Sequence, residues 1–93
     1  MVAATGQQIH VLTGHTNWVN AVRFSNDDGW ILSGSTDGTV RLWDAESGKQ
    51  IRCFEGHKGP VNSVSFVENT LVAISGGDDR TIRFWPLPDG SEL

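Results

Sequence analysis

Apolar residues along this chain fall in short clusters divided by turn residues, and no helical period is visible. Val19–Phe24 reads as a strand with Val19, Val22 and Phe24 apolar. The step from 19 to 22 breaks strict alternation and predicts a bulge near Asn20-Ala21. Asn26-Asp27-Asp28-Gly29 is turn chemistry, since these residues tolerate positive φ and short side-chain-to-backbone bonds. Trp30–Ser35 is a second strand, Asp37-Gly38 marks a hairpin turn, and Thr39–Asp44 is a third strand. Glu46-Ser47-Gly48 turns the chain into a fourth, Gln50–Phe54. The same order follows as Val61–Phe66, Leu71–Ser75 and Thr81–Trp85, so the predicted class is all-β.

The recurrence is literal. Shifted by 42 residues, the chain overlays itself without a gap. Gly14-His15 falls on Gly56-His57, Val19-Asn20 on Val61-Asn62, and Val22 and Phe24 on Val64 and Phe66. Ser33-Gly34 meets Ser75-Gly76, Asp37 meets Asp79, and Thr39, Arg41 and Trp43 meet Thr81, Arg83 and Trp85. Ala3, Gly6, Gln8 and Ile9 continue the match onto Ala45, Gly48, Gln50 and Ile51.

At 93 residues the chain is one small domain at most, with 38% hydrophobic and 19% charged residues, a soluble globular balance. No apolar run reaches the ~20 residues that cross a bilayer, and MVAATGQQIH shows no basic stretch followed by an apolar core, so no secretory signal is expected. A net charge of −4 argues against a nucleic-acid surface, which needs clustered positive charge. The single Cys53 cannot form an intrachain disulfide and fits a reducing, cytoplasmic setting. His10, His15 and His57 do not stand at metal-ligand spacing with one another or with Cys53, so neither metal nor cofactor is expected. The Asn26–Gly29 segment lacks the pattern of a calcium loop, and Ser33-Gly34-Ser35 precedes no helix, so it is no phosphate loop.

A period of ~40–45 residues, four strands per unit and Gly-His with Trp-Asp marks are the signature of WD40 propellers. With GH…V..V.FSNDDG…ILSGSTDGTVRLWD and GH…V..V.F…AISGGDDRTIRFWP, the chain resembles the WD40-repeat family over nearly its whole length. The second unit departs by ending Trp85-Pro86 and by having Val67-Glu68-Asn69 after Phe66. The resemblance implies that residues 14–54 form one blade and 56–86 a second without its outer strand, with 87–93 as a tail. Gln8–Leu12 then belongs to a preceding blade.

Propellers need 4–8 blades. The expectation is therefore that Gln8–Leu12 of one chain complements Thr81–Trp85 of the next. Such head-to-tail contacts close into rings or propagate. A homotrimer would have six blades and a homotetramer eight. The alternative is a shortened or excised piece of a longer propeller.

His15, Ser33 and Asp37, repeated as His57, Ser75 and Asp79, invite a catalytic-triad reading. The serines lie in strands without a nucleophile elbow, so no catalytic residue is expected. In the family these positions and a tryptophan form a buried hydrogen-bond network. Carried over, Asp37 accepts from His15, His15 meets Ser33, and Ser33 meets the Trp43 indole; His57, Ser75, Asp79 and Trp85 form the second set. The resemblance also implies one loop face that contacts partners, here Asn17, Trp18 and Thr36 in the first unit and Lys58, Pro60 and Asp78 in the second. Trp18 stands out because its counterpart is Pro60, so the fold does not demand an indole there. The implied function is a non-enzymatic scaffold for protein or peptide partners. The competing readings are a minimal or engineered self-assembling unit with no dedicated partner, and an enzyme or small-molecule binder using the central channel.

Overall fold

The structure is a computed structural model that describes residues 14–25, 29–67 and 70–87. Seven strands follow one another, with no helix among the described residues: β1 Val19–Phe24, β2 Trp30–Ser35, β3 Thr39–Asp44, β4 Gln50–Glu55, β5 Val61–Phe66, β6 Val72–Gly77 and β7 Ile82–Pro86. They form two antiparallel meanders, a four-stranded sheet β1-β2-β3-β4 and a three-stranded sheet β5-β6-β7. The expected strand Gln8–Leu12, and His10 on it, lie outside the described residues.

The bulge falls where the apolar spacing puts it. Pairing of β1 with β2 slips between Val19 and Ala21, and β5 with β6 slips between Val61 and Ser63. One extra residue there turns Val19, Val22 and Phe24 to a common side. Five strand limits differ from the sequence reading; among them, β6 starts at Val72 instead of Leu71 and β7 ends at Pro86 instead of Trp85. β4 runs on to Glu55, opposite Thr39. β6 runs to Gly77 because the bulge brings Val61 opposite it. β7 starts at Ile82, one place later than its counterpart β3. Thr39 and Thr81 make the same bonds to their aspartates, but Thr39 stands opposite Glu55 of β4, whereas among the described residues no strand lies outside β7.

Despite their different residues, the two β-turn-β connections close alike. Ser25 N–H bonds Trp30 O at 2.9 Å, and one period later Val67 N–H bonds Val72 O at 2.9 Å. Both β2–β3 and β6–β7 hairpins are turns with a left-handed residue at the end, Gly38 at φ 86° and Arg80 at φ 67°. Glycine takes that conformation freely; an arginine there is strained.

The core lies between the sheets. Leu32, Val40 and Leu42 of the first sheet are fully buried against Val61 and Val64 of the second, with Ala73 and Leu87 completing the cluster. Leu87, assigned to the tail by the sequence reading, is thus a core residue, and its N–H bonds Leu71 O at 2.9 Å. Gly34 makes the close approach possible: a Cβ there would sit 2.6 Å from Val61 Cγ1 and 2.9 Å from Val64 Cγ1. Phe54 stacks on Trp85 across the seam, centroids 5.2 Å apart.

Candidate functional site

Each sheet holds one polar chain reaching from the loop end into the core. In the first, His15 Nδ1 lies 3.0 Å from Asp37 Oδ2, His15 Nε2 lies 2.6 Å from Ser33 Oγ, and Trp43 Nε1–H donates to Ser33 Oγ at 2.8 Å. In the second, His57 Nδ1 lies 3.1 Å from Asp79 Oδ1, His57 Nε2 lies 2.7 Å from Ser75 Oγ, and Trp85 Nε1–H donates to Ser75 Oγ at 2.8 Å. The indole can only donate, so each serine hydroxyl accepts from it and directs its own hydrogen to the imidazole Nε2. That assigns the proton to Nδ1, facing the carboxylate. All eight residues are brought together, four to a sheet.

The chemistry of this arrangement is cohesive. Ser33 and Ser75 are buried under tryptophan, and each hydroxyl has both its hydrogen and one lone pair engaged. Burial pushes the Asp37 carboxyl up, but bonds from the Thr39 hydroxyl, the backbone N–H groups of Thr16 and Thr39, and His15 together hold it well below the usual carboxylate range. For Asp79 the Lys58 N–H and the Thr81 hydroxyl are the chief donors that hold it low, over an opposing effect of burial, with His57 and the Thr81 N–H adding to them. Among the described residues no buried side-chain nitrogen or oxygen lacks a partner.

Sequence reasoning passed over five residues, four that extend these chains and one that joins the sheets. Thr39 Oγ1 donates to Asp37 Oδ1 at 2.6 Å, and Thr81 Oγ1 to Asp79 Oδ1 at 2.7 Å. Arg41 and Arg83 each donate Nε–H to that threonine at 3.2 Å. Asn20 donates Nδ2–H to Thr36 Oγ1 at 2.9 Å and to Val61 O at 3.0 Å, joining the two sheets. The 42-residue overlay already pairs Thr39 with Thr81, Arg41 with Arg83 and Asn20 with Asn62, and that was the available signal.

The loop-end residues gather in two matching sets. Thr36 N–H bonds Trp18 O at 2.8 Å, and Asp78 N–H bonds Pro60 O at 2.9 Å. Asn17 Oδ1 accepts from Trp18 N–H at 2.8 Å, while Lys58 is exposed above Asp79, to which its N–H donates. The sets adjoin, because a Cβ on Gly38 would lie 3.2 Å from His57 O. The Trp18 side chain is 79% exposed although its backbone is fixed at both ends. Asn62 Nδ2 bonds Asp78 Oδ1 on the same edge.

Other candidates are quieter. Cys53 is half-buried, and burial pushes its thiol up, away from the reactive thiolate. Trp30 is half-buried against the core. Among the described residues no group of three His, Cys, Asp or Glu side chains could hold a metal, and no helix is long and apolar enough to cross a membrane.

Known proteins fit this geometry. The WD40 profile, described as "WD domain, G-beta repeat", matches residues 6–44 and 48–86. A Lissencephaly-1 homolog of Heterostelium pallidum is 55% identical over 38 residues, 41% of this chain and 9% of that protein. A THO complex subunit 6 homolog of Danio rerio is 44% identical over 43 residues, 46% of this chain and 13% of that protein. A probable E3 ubiquitin ligase complex SCF subunit sconB of Aspergillus clavatus is 49% identical over 37 residues, 40% of this chain and 5% of that protein. The match thus spans a small part of each relative. Among solved structures, the computationally designed Ika4 protein superposes with a TM-score of 0.78 at 33% identity, over 90% of this chain and 50% of that one. With two matched repeats, two blade-like sheets and a His-Ser-Asp-Trp chain in each, this protein belongs to the WD40-repeat family.

Proposed function

We propose that this chain is a non-enzymatic interaction scaffold, a pair of propeller blades that joins further copies head to tail and presents its loop end to protein or peptide partners. The observation that carries the binding role is Trp18. Its backbone is held by Asn17 and Thr36, its indole stands 79% exposed, and Pro60 at the equivalent place leaves the fold intact. Exposed, pre-oriented aromatics of this kind are common binding hot spots. Asn17 and Thr36 flank it, and Lys58, Pro60 and Asp78 extend the same surface with one cation and one anion. A reducing, cytoplasmic location belongs to the same reading, supported by the lone Cys53.

Assembly rests on the open faces. Val19, Val22 and Phe24 are 50%, 47% and 49% exposed, and Ile82 and Phe84 are 70% and 65% exposed. At ~1.5–3 kcal/mol per fully buried side chain, covering them contributes on the order of 5 kcal/mol per junction. Association of two proteins costs ~4–15 kcal/mol, so a single junction is weak. Closing a ring makes the last junction intramolecular, which favours a homotrimer of six blades or a homotetramer of eight over open pairs. Strand complementation by Gln8–Leu12 along β7 belongs to the same junction.

Peptide-library selection on the immobilised protein tests the scaffold role. Selected peptides should lose binding to Trp18→Ala while that variant keeps its thermal midpoint. Peptides that bind the variant equally well would remove Trp18 from the partner surface.

A further inference from the structure

The seam between the two sheets is a contact with two unlike sides, and each side has a copy elsewhere in the chain. One side is Leu32, Gly34, Val40 and Leu42, which the registers Leu32↔Leu42 and Gly34↔Val40 set on one face. The other is Val61, Val64 and Phe66. One period on from the first side stand Ile74, Gly76, Ile82 and Phe84, again on one face through Ile74↔Phe84 and Gly76↔Ile82. One period back from the second stand Val19, Val22 and Phe24. The inner members Leu32, Val40, Leu42 and Val61 are 0% exposed, whereas Ile82, Phe84 and the three β1 residues are the open ones. No ionisable side chain stands among these positions.

We propose that a second copy of this chain occupies the Ile74–Gly76–Ile82–Phe84 face by repeating the internal seam, with Val19 and Val22 of that copy seated over Gly76. The inference rests on the head-to-tail reading and adds the register of the contact. Gly76 is the informative position. The same atom at Gly34 would strike Val61 and Val64, yet at Gly76 an added Cβ meets only Ser63 Oγ, at 3.1 Å. Within the single chain only the Ser63 hydroxyl would have to give way to a side chain at Gly76, whereas at Gly34 two packed valines would. Asn62 supplies the polar half. Its counterpart Asn20 bonds both Thr36 on its own edge and Val61 O across the seam, whereas Asn62 bonds Asp78 on its own edge. In the repeated contact its Nδ2 donates to the Val19 carbonyl of the second copy. Each side thus meets its unlike partner, which makes the contact head to tail.

A disulfide trap tests the register. An ideal Cβ on Gly34 lies 3.3 Å from Val61 Cβ, close to the ~3.5–4.5 Å that a disulfide spans. The transposed pair is 76 and 19. In a Cys53→Ser background, Val19→Cys with Gly76→Cys should oxidise to a ladder of linked chains, whereas either single cysteine yields at most a two-chain band. In parallel, Gly76→Val should keep the β circular dichroism of the parent and weaken association by about tenfold or more. If the parent assembles but the ladder is absent, or Gly76→Val assembles as the parent does, this register is wrong and the head-to-tail reading survives. If the parent is a folded single chain, both fall.

Discussion

Removing the Asp37 carboxylate should loosen the whole first blade. Asp37 accepts from Thr16 N–H at 2.9 Å, Thr39 N–H at 2.9 Å, the Thr39 hydroxyl at 2.6 Å and His15 at 3.0 Å. In Asp37→Ala, the Thr16 N–H is exposed and can turn to water, and the threonine hydroxyl can rotate toward another acceptor. The Thr39 N–H is left inside without its acceptor, and the His15 Nδ1–H keeps only the Thr39 hydroxyl oxygen at 3.1 Å. An unsatisfied buried donor costs ~1–3 kcal/mol and the weakened bonding of His15 ~1 more, so the two together destabilise by about 2–4 kcal/mol. A domain of this size has ~5–14 kcal/mol in total, so the loss is a large fraction of it. At ~4–8 °C per kcal/mol, the thermal midpoint should fall by more than about 8 °C. Trp43, linked to Asp37 through Ser33 and His15, reports the change directly. The assay is urea unfolding followed by tryptophan fluorescence, variant and parent at equal chain concentration. A loss of less than about 0.5 kcal/mol, the usual range of an ordinary surface substitution, would refute the structural role of the network.

Other expectations follow from the same geometry. Arg80→Gly relieves the left-handed conformation that Gly38 takes without strain, and should raise stability by up to about 1 kcal/mol in the same urea titration. Leu42→Ala opens a cavity at the fully buried seam and should cost ~2–5 kcal/mol, whereas Phe84→Ala at the equivalent open position should leave single-chain unfolding nearly unchanged. Asp37 and Asp79 are held low in the folded protein. Their contribution is therefore complete above the unfolded carboxylate value of ~3.9 and is lost as pH falls below it toward their folded values. Urea midpoints should accordingly change little between pH 7 and 5 on their account and fall below about pH 4, less so in Asp37→Asn.

Most of the fold is readable from apolar spacing because each strand has one buried side. Val19, Val22 and Phe24 reveal the bulge, and Asp37-Gly38 the hairpin, without any tertiary information. Strand ends are less legible, since they depend on the neighbouring strand: Thr39 and Thr81 bond their aspartates alike, but Thr39 has Glu55 of β4 opposite it, and no local propensity announces that. The polar chains are legible as types and spacings through the family resemblance; Thr39 and Arg41 also recur in the overlay, but their bonds exist only once β3 is folded beside His15. Asn20 illustrates the limit. Its repetition as Asn62 is plain in the sequence, but its bond to Val61 O exists only across the seam.

The most direct measurement is the mass of the native protein in solution, by native mass spectrometry or sedimentation, over a wide range of chain concentrations. A closed ring gives one species at three or four times the 10.1 kDa chain mass. A cooperatively folded species at a single chain mass, persisting at the highest concentration, would contradict it.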